Sequence, residues 1–241
     1  MSETPERRRD SPVSEQIANL RDLAHADERL RPDVLWRSAQ PLAGDGAPRE
    51  VTTWPPATVV DLRSAAEIPA GPHPLPGSNV HHVALLDHAG DPGANAQRRR
   101  PLVEVYLSML EPGTGLLRAA SLVASEPGPV LVHCAAGKDR TGLVVALVLR
   151  LLDVPREAVL ADFALTTEAM PEVMRRLLAS SPLPEGADLS TLPKEYFTAP
   201  VEALEAILDV WDAHEGGTSG WALAHGADPD LVERLRARLL V

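Results

Sequence analysis

The sequence predicts an α/β protein with a mostly parallel central sheet flanked by helices. Three observations carry that expectation. Short apolar or β-branched runs such as Thr58-Val59-Val60-Asp61-Leu62 and Pro129-Val130-Leu131-Val132 are bounded by Pro and Gly, as strands are. Other stretches, such as Leu102 to Leu110, repeat apolar residues at helical spacing. The two kinds alternate along the chain, the order that lays helices over a parallel sheet. With 241 residues and 44% hydrophobic content there is enough material for one large α/β domain.

Residues 1 to 14 read as a disordered tail: Arg7-Arg8-Arg9, Pro5 and Pro12 surround few apolar side chains. The domain is expected over 15–241. Val34-Leu35-Trp36 is the first strand. Residues 41 to 56 are turn-rich, with a short helix near Pro48 to Thr52. Thr58 to Leu62 is a strand, Pro69 to Gly77 carries too much Pro to be regular, and Val80 to Leu86 is a third strand. Asp87 to Arg100 is a polar loop. Helices follow at Leu102 to Leu110 and Thr114 to Ala124, the second stopped by Pro127-Gly128-Pro129. After the strand at Pro129 to Val132, Leu143 to Leu152 is apolar on every side, which places it centrally in the core. Pro155 starts a helix through Phe163, and Thr166 starts another through Ala179, with Met170, Val173, Met174 and Leu177 on one side. Ser180 to Pro193 reads as loop, Val201 to Trp211 as helix, and Gly216-Gly217 as its end. Asp228-Pro229-Asp230 starts a last helix, with Leu231, Leu235 and Leu239 on one face and arginines towards its end.

The net charge of −11 argues against nucleic-acid binding through phosphates, so positive charge has to act locally. No apolar run reaches 18 residues, so no transmembrane helix is expected. Met1 to Asp10 lacks an apolar segment of signal-peptide type; a cytoplasmic location is expected, and export by a route without a recognisable signal stays open. Cys134 is the only cysteine, which leaves no intrachain disulfide and no second thiol to protect it after oxidation.

That cysteine carries the chemistry. His133-Cys134-Ala135-Ala136-Gly137-Lys138-Asp139-Arg140-Thr141-Gly142 joins a strand to a helix. The loop therefore aims backbone N–H groups and a helix N-terminus at one spot, which attracts anions. The same field favours a thiolate, because a free thiol near pKa 8.5 drops by several units at such a place. Arg140 offers a planar fork for two phosphate oxygens. Its hold strengthens as charge spreads over the equatorial oxygens in the transition state. Thr141 brings a hydroxyl that can bond the sulfur. Ala135, Ala136, Gly137 and Lys138 complete the phosphate cradle. Lys138 and Lys194 are the only lysines, so Lys138 stands out.

The loop resembles the signature of the cysteine-dependent protein tyrosine phosphatases. Gly137-Lys138-Asp139-Arg140-Thr141-Gly142 is similar to bacterial tyrosine/serine phosphatases with mycobacterial members. Asn19-Leu20-Arg21-Asp22, Trp36-Arg37-Ser38-Ala39, Val59-Val60-Asp61-Leu62-Arg63-Ser64 with Glu67, and Asp162-Phe163-Ala164-Leu165-Thr166 resemble further motifs of that family. The resemblance implies a phosphatase fold and a phosphocysteine intermediate, with Cys134 as nucleophile and Asp139 as general acid. It also implies a helical lid near 164–215. Ala135-Ala136 departs from the pattern, in which the first position often holds an aromatic.

Two points stay open on the residues alone. Cations beside Asp139 favour its charged form, which works against a proton donor. Asp87 and Asp91, on a loop after a strand, are its rivals. Asp61 falls at the end of a strand on the same sheet edge as the loop; pairing with Lys138 and a turn or cap role both fit. His133 is expected to bond backbone and order the loop. His81 and His82 are neighbours on a strand and face opposite ways, so with His88 they make a poor metal set. No metal and no cofactor is expected. The substrate is expected to be a protein phosphotyrosine, with phosphoserine or phosphothreonine also open. A phosphoinositide phosphatase and an inactive phosphate-binding module are the alternatives.

Overall fold

The computed structural model describes residues 16–48, 51–86, 101–111, 115–180 and 194–241. The expected tail at 1–14, the whole loop from Asp87 to Arg100, and part of the region expected as a lid lie outside them.

Among the described residues five strands form one sheet in the order β1-β2-β5-β3-β4: β1 Arg21–Asp22, β2 Leu35–Ser38, β3 Thr58–Asp61, β4 Asn79–His82 and β5 Val130–His133. The four longer strands run parallel, and β1 adds an antiparallel edge. Central position explains the composition of β5. It lies between β2 and β3, is buried throughout, and reads Val-Leu-Val-His. Register decides where the site falls. Ser38 and Asp61 both stand level with His133, so three strands end together and Cys134 leaves at the middle of their carboxyl ends. β4 stops at His82, short of the expected Leu86. Beyond it Val83 and Leu85 still donate to the carbonyls of Asp61 and Leu62 as the chain turns away.

Seven α-helices occur among the described residues: α1 Leu102–Ser108, α2 Leu116–Ser125, α3 Asp139–Leu151, α4 Arg156–Ser180, α5 Val201–Ala213, α6 Gly217–Ala224 and α7 Leu231–Leu239. α3 is the central helix. It touches α2, α4, α6, α7, β2 and β5, and Leu143 to Leu149 are fully enclosed. Val130 and Val132 point into this helical layer. Trp36, Val59 and Leu131 point the other way and are covered by Leu20, Val51, Trp54, Leu75 and Val80, which come mostly from non-helical segments.

Three helices also differ from expectation. α3 starts at Asp139, one turn before Leu143, because the loop itself supplies its first turn: Gly142 N donates to Lys138 O at 2.6 Å. α4 is one helix of 25 residues, about 37 Å long, where two were expected. Thr166 and Thr167 look like helix-starting residues, yet their hydroxyls serve tertiary partners, accepting from Arg21 Nη2 and Ala199 N respectively. Glycine hides α6, which is secured by Trp221 packing on Trp211 at 5.6 Å between ring centroids. None of the described helices is long and apolar enough to cross a membrane.

Candidate active site

The loop from Cys134 to Lys138 is held by its carbonyls. Cys134 O accepts from His133 Nδ1 (3.1 Å) and Ala135 O from Gln40 N (3.0 Å). Ala136 O accepts from Asn19 Nδ2 (3.2 Å), and Gly137 O from both Asn19 Nδ2 (3.0 Å) and Arg37 Nη2 (2.8 Å). A trans peptide points its C=O and N–H in opposite directions. Four successive carbonyls tied to the scaffold therefore turn the amides of Ala135, Ala136, Gly137 and Lys138 to the opposite side. Those four amides donate to no described residue. Gly137 permits this path. Its φ is +67°, and a Cβ there would lie 2.2 Å from Ser38 O.

The clamp behind the loop is itself buried and charged. Arg37 is fully enclosed and pairs through Nη1 with Asp162 on α4, which also binds Arg21. Burial opposes the Asp162 charge, but Arg37, His25 and Arg21 outweigh it and hold the carboxyl far below its ordinary range. Burial and the Arg37 charge bring Arg21 down to about 10. β1, β2 and α4 thus meet at one carboxylate directly behind the loop.

Arg140 sits one residue into α3. Nη1 and Nη2 pair with the two carboxylate oxygens of Glu67, and Nη1 also reaches Leu62 O at 3.4 Å. Burial disfavours its charge; Glu67 and Cys134 more than compensate, so its pKa is raised. Glu67 is tied in turn to Ser64 N at 2.9 Å, and despite its own burial the Arg140 contact keeps its carboxyl below the usual range. A guanidinium has five N–H groups. Glu67 and Leu62 take three of Arg140's. No described residue takes the Nε–H or the outer Nη2–H, and these form a side-on fork of the kind that binds two oxygens of one phosphate.

Cys134 is 2% exposed. Asp139, the first residue of α3, accepts from Tyr106 Oη at 2.9 Å on Oδ1, while Oδ2 lies 3.8 Å from Lys138 Nζ. Lys138 does not meet Asp61. Its ammonium donates to the carbonyls of Glu195 (2.6 Å) and Thr198 (3.2 Å), strapping the segment before α5 to the loop. Asp61 is engaged by Arg63 through Nε, Nη2 and the backbone N–H. Burial works against its charge, yet His133 and Arg63 set its carboxyl at about 2. The hydroxyl of Thr141 is buried without a hydrogen-bond partner among the described residues, so it does not bond the sulfur. Ala135 and Ala136 are half-buried, and Ala136 packs with Ala18, Ala39, Met170 and Val173.

His133 is fully buried, and burial lowers it to about 4, so the ring is neutral at ordinary pH. Its Nδ1 faces a carbonyl and therefore carries the proton. Asp61, His73 and His133 each offer a ligand atom within 4.8 Å of the others. The tautomers do not suit a metal. His73 Nδ1 accepts from Leu75 N, which puts the proton on Nε2; a metal at Nε2 would move that proton to Nδ1, donor against the Leu75 N–H donor. His81 and His82 diverge, one towards Glu126 and the other towards Asp61, while His88, Asp87 and Asp91 lie outside the described residues.

Sequence reasoning missed two contacts. Glu67 was open to a closer reading, since Ser64-Ala65-Ala66-Glu67 has the spacing of a capping box. No local signal marks Tyr106, 33 residues away from its partner.

A loop of outward-turned amides at the carboxyl ends of a parallel sheet, with Cys134 at its start and the Arg140 guanidinium beside it, is the frame of a phosphatase. Residues 13–241 match the tyrosine phosphatase family, and the chain belongs to it. It is similar to the triple specificity protein phosphatase PtpB of Mycobacterium tuberculosis, with 28% identity over 92% of this chain and 96% of that protein. It is also similar to a tyrosine-protein phosphatase of Nostoc commune, with 26% identity over 49% of this chain and 41% of that one. The protein is a phosphatase.

Proposed function

We propose that the protein hydrolyses phosphate monoesters through a phosphocysteine at Cys134, with protein phosphotyrosine as the main substrate. One observation carries this reading: the four loop amides that follow Cys134 turn away from their tethered carbonyls, and the Arg140 guanidinium keeps two N–H groups that no described residue takes. Such a cup fits the three non-bridging oxygens of a phosphoryl group.

In the first step the Cys134 thiolate attacks phosphorus. The S–P bond forms, the bond from phosphorus to the leaving oxygen breaks, and Asp139 gives that oxygen its proton. In the second step water attacks the phosphocysteine, gives a proton to the Asp139 carboxylate, and the sulfur leaves as thiolate. The amides and Arg140 stabilise the charge on the equatorial oxygens in both steps. The steps need no metal, so a chelator is expected to leave the rate unchanged.

The PtpB of M. tuberculosis is named for triple specificity, which supports activity here on more than one class of phosphorylated substrate. Lys138 bears on the lipid alternative. Two of its three N–H groups are spent on the Glu195 and Thr198 carbonyls, which favours a strap over the pocket rather than a ligand for an inositol headgroup.

Hydrolysis of p-nitrophenyl phosphate and of a phosphotyrosine peptide by the wild-type chain and by Cys134→Ser tests the reading; equal rates would remove it. Asp139→Asn should slow aryl phosphates with poor leaving groups about a hundredfold and spare those with good ones. A phosphoinositide panel turned over faster than phosphopeptides would move the assignment to lipid.

A further inference from the structure

Among the described residues, Tyr106 is the one uncharged side chain that hydrogen-bonds the proposed proton donor. It lies on α1, is fully enclosed, and places its hydroxyl 2.9 Å from Asp139 Oδ1. Its ring is fixed edge-on against Phe163 of α4, with centroids 6.4 Å apart and planes at 86°. Phe163 is fixed in turn by α3, where a Cβ on Gly142 would come within 2.7 Å of its ring. Three helices thus converge to hold one hydroxyl in place.

The contact divides the carboxyl group into two unlike oxygens. Oδ1 accepts from Tyr106, whereas Oδ2 accepts no hydrogen bond from any described residue and has only the Lys138 ammonium at 3.8 Å. The charges acting around this pair are Lys138 and Arg140 on the loop and α3, Cys134 at the base and Arg37 on β2. Burial, with the Asp139 and Cys134 charges, keeps the phenol far above its ordinary pKa, so Tyr106 stays a donor and is not itself the acid.

We propose that Tyr106 is a positioning residue for the general acid: by holding Oδ1 it leaves Oδ2 as the oxygen that delivers the proton. The inference rests on Asp139 being the donor. As the bond between phosphorus and the leaving oxygen breaks, the Oδ2–H bond breaks too. The proton passes to the leaving oxygen and the electron pair stays on the carboxylate. The hydrogen bond from Tyr106 then meets a charged acceptor and strengthens. An interaction stronger in the transition state than in the ground state raises kcat.

The test uses the full chain and a series of aryl phosphates graded by leaving-group basicity. Tyr106→Phe should lose about tenfold in kcat on the poorest leaving groups and almost nothing on the best. A structural role lowers every substrate alike, so a uniform loss, or none, overturns the proposal. Asp139→Asn on the same series separates the two claims: a flat Asp139→Asn profile removes the donor itself, whereas a steep one beside a flat Tyr106→Phe profile removes only Tyr106. In the double variant the Phe substitution should add nothing to Asp139→Asn, and independent losses that multiply count against the inference. Fluorotyrosine at position 106 keeps the donor and should retain the wild-type profile, which keeps the claim testable if Phe is not accepted by the fold; a profile tilted like that of Asp139→Asn contradicts it.

Discussion

Glu67 is the test of how Arg140 is aimed. Two charge-assisted contacts and the Ser64 amide fix its carboxylate, and the two side chains of the pair are 13% and 32% exposed. Glu67→Gln keeps the shape and one acceptor oxygen. Its NH₂ group must then face either Arg140 Nη2, or Arg140 Nη1 together with the Ser64 N–H, donors opposed in either case. A hydrogen bond to a charged group contributes about 1.5–3 kcal/mol, and partial exposure trims that to roughly 1–2 kcal/mol of stability. For a chain of this length the melting midpoint should fall by about 2–8 °C. The larger effect is on rate. A fork free to swing by an ångström costs about tenfold to a hundredfold in kcat, with KM changed less, because the grip matters most in the transition state. The sign with pH follows from Glu67's depressed pKa: the clamp contributes above the ordinary glutamate range and is lost as pH falls through the lower, folded value. Steady-state kinetics on p-nitrophenyl phosphate beside a thermal melt measure both effects. A Glu67→Gln protein that melts lower yet keeps kcat within about twofold of wild type would refute the idea that this carboxylate aims Arg140.

Two further predictions concern the scaffold. Gly137→Ala combines a positive φ, costing roughly 1–2 kcal/mol, with backbone overlap against Ser38 costing roughly 1–3 kcal/mol; a lower melting point and near-complete loss of turnover are expected, and wild-type activity would show that the loop takes another path. His25 is raised chiefly by its hydrogen bond to Asp162, against partial burial. Its contribution is full below the unfolded histidine value and lost as pH rises through the raised one, so His25→Gln should cost more stability near pH 6 than near pH 9, and a constant difference would remove the ion pair from the account.

The catalytic loop was legible because its signal is local: cysteine, glycine and arginine stand within seven residues between a strand and a helix. The parallel core strands were legible for a similar reason, since a short apolar run bounded by Pro and Gly is itself a strand signal. β1 has two residues and leaves no periodicity to read. The long α4 was divided in two at Thr166, and only the folded chain shows the hydroxyls of Thr166 and Thr167 turned to Arg21 and Ala199. Asp61 shows how a role depends on neighbours. Its sheet edge was foreseen, but Arg63, two residues on, takes the carboxylate, while Lys138 is drawn away to the Glu195 and Thr198 carbonyls. The anchors of the loop, Asn19 and Arg37, lie more than 90 residues before it, and Tyr106 and Glu67 lie 33 and 73 residues before the groups they hold. Such contacts exist only after the sheet has assembled.

The account turns on a bond between phosphorus and the sulfur of Cys134. Rapid acid quench during a single turnover of a phosphotyrosine peptide, followed by mass spectrometry of the digested chain, looks for that bond directly. The account predicts a phosphate on the peptide that carries Cys134, appearing with release of the tyrosine and decaying as inorganic phosphate forms. Turnover that releases inorganic phosphate in step with tyrosine, with no covalent phosphate on Cys134 at any time, would contradict it.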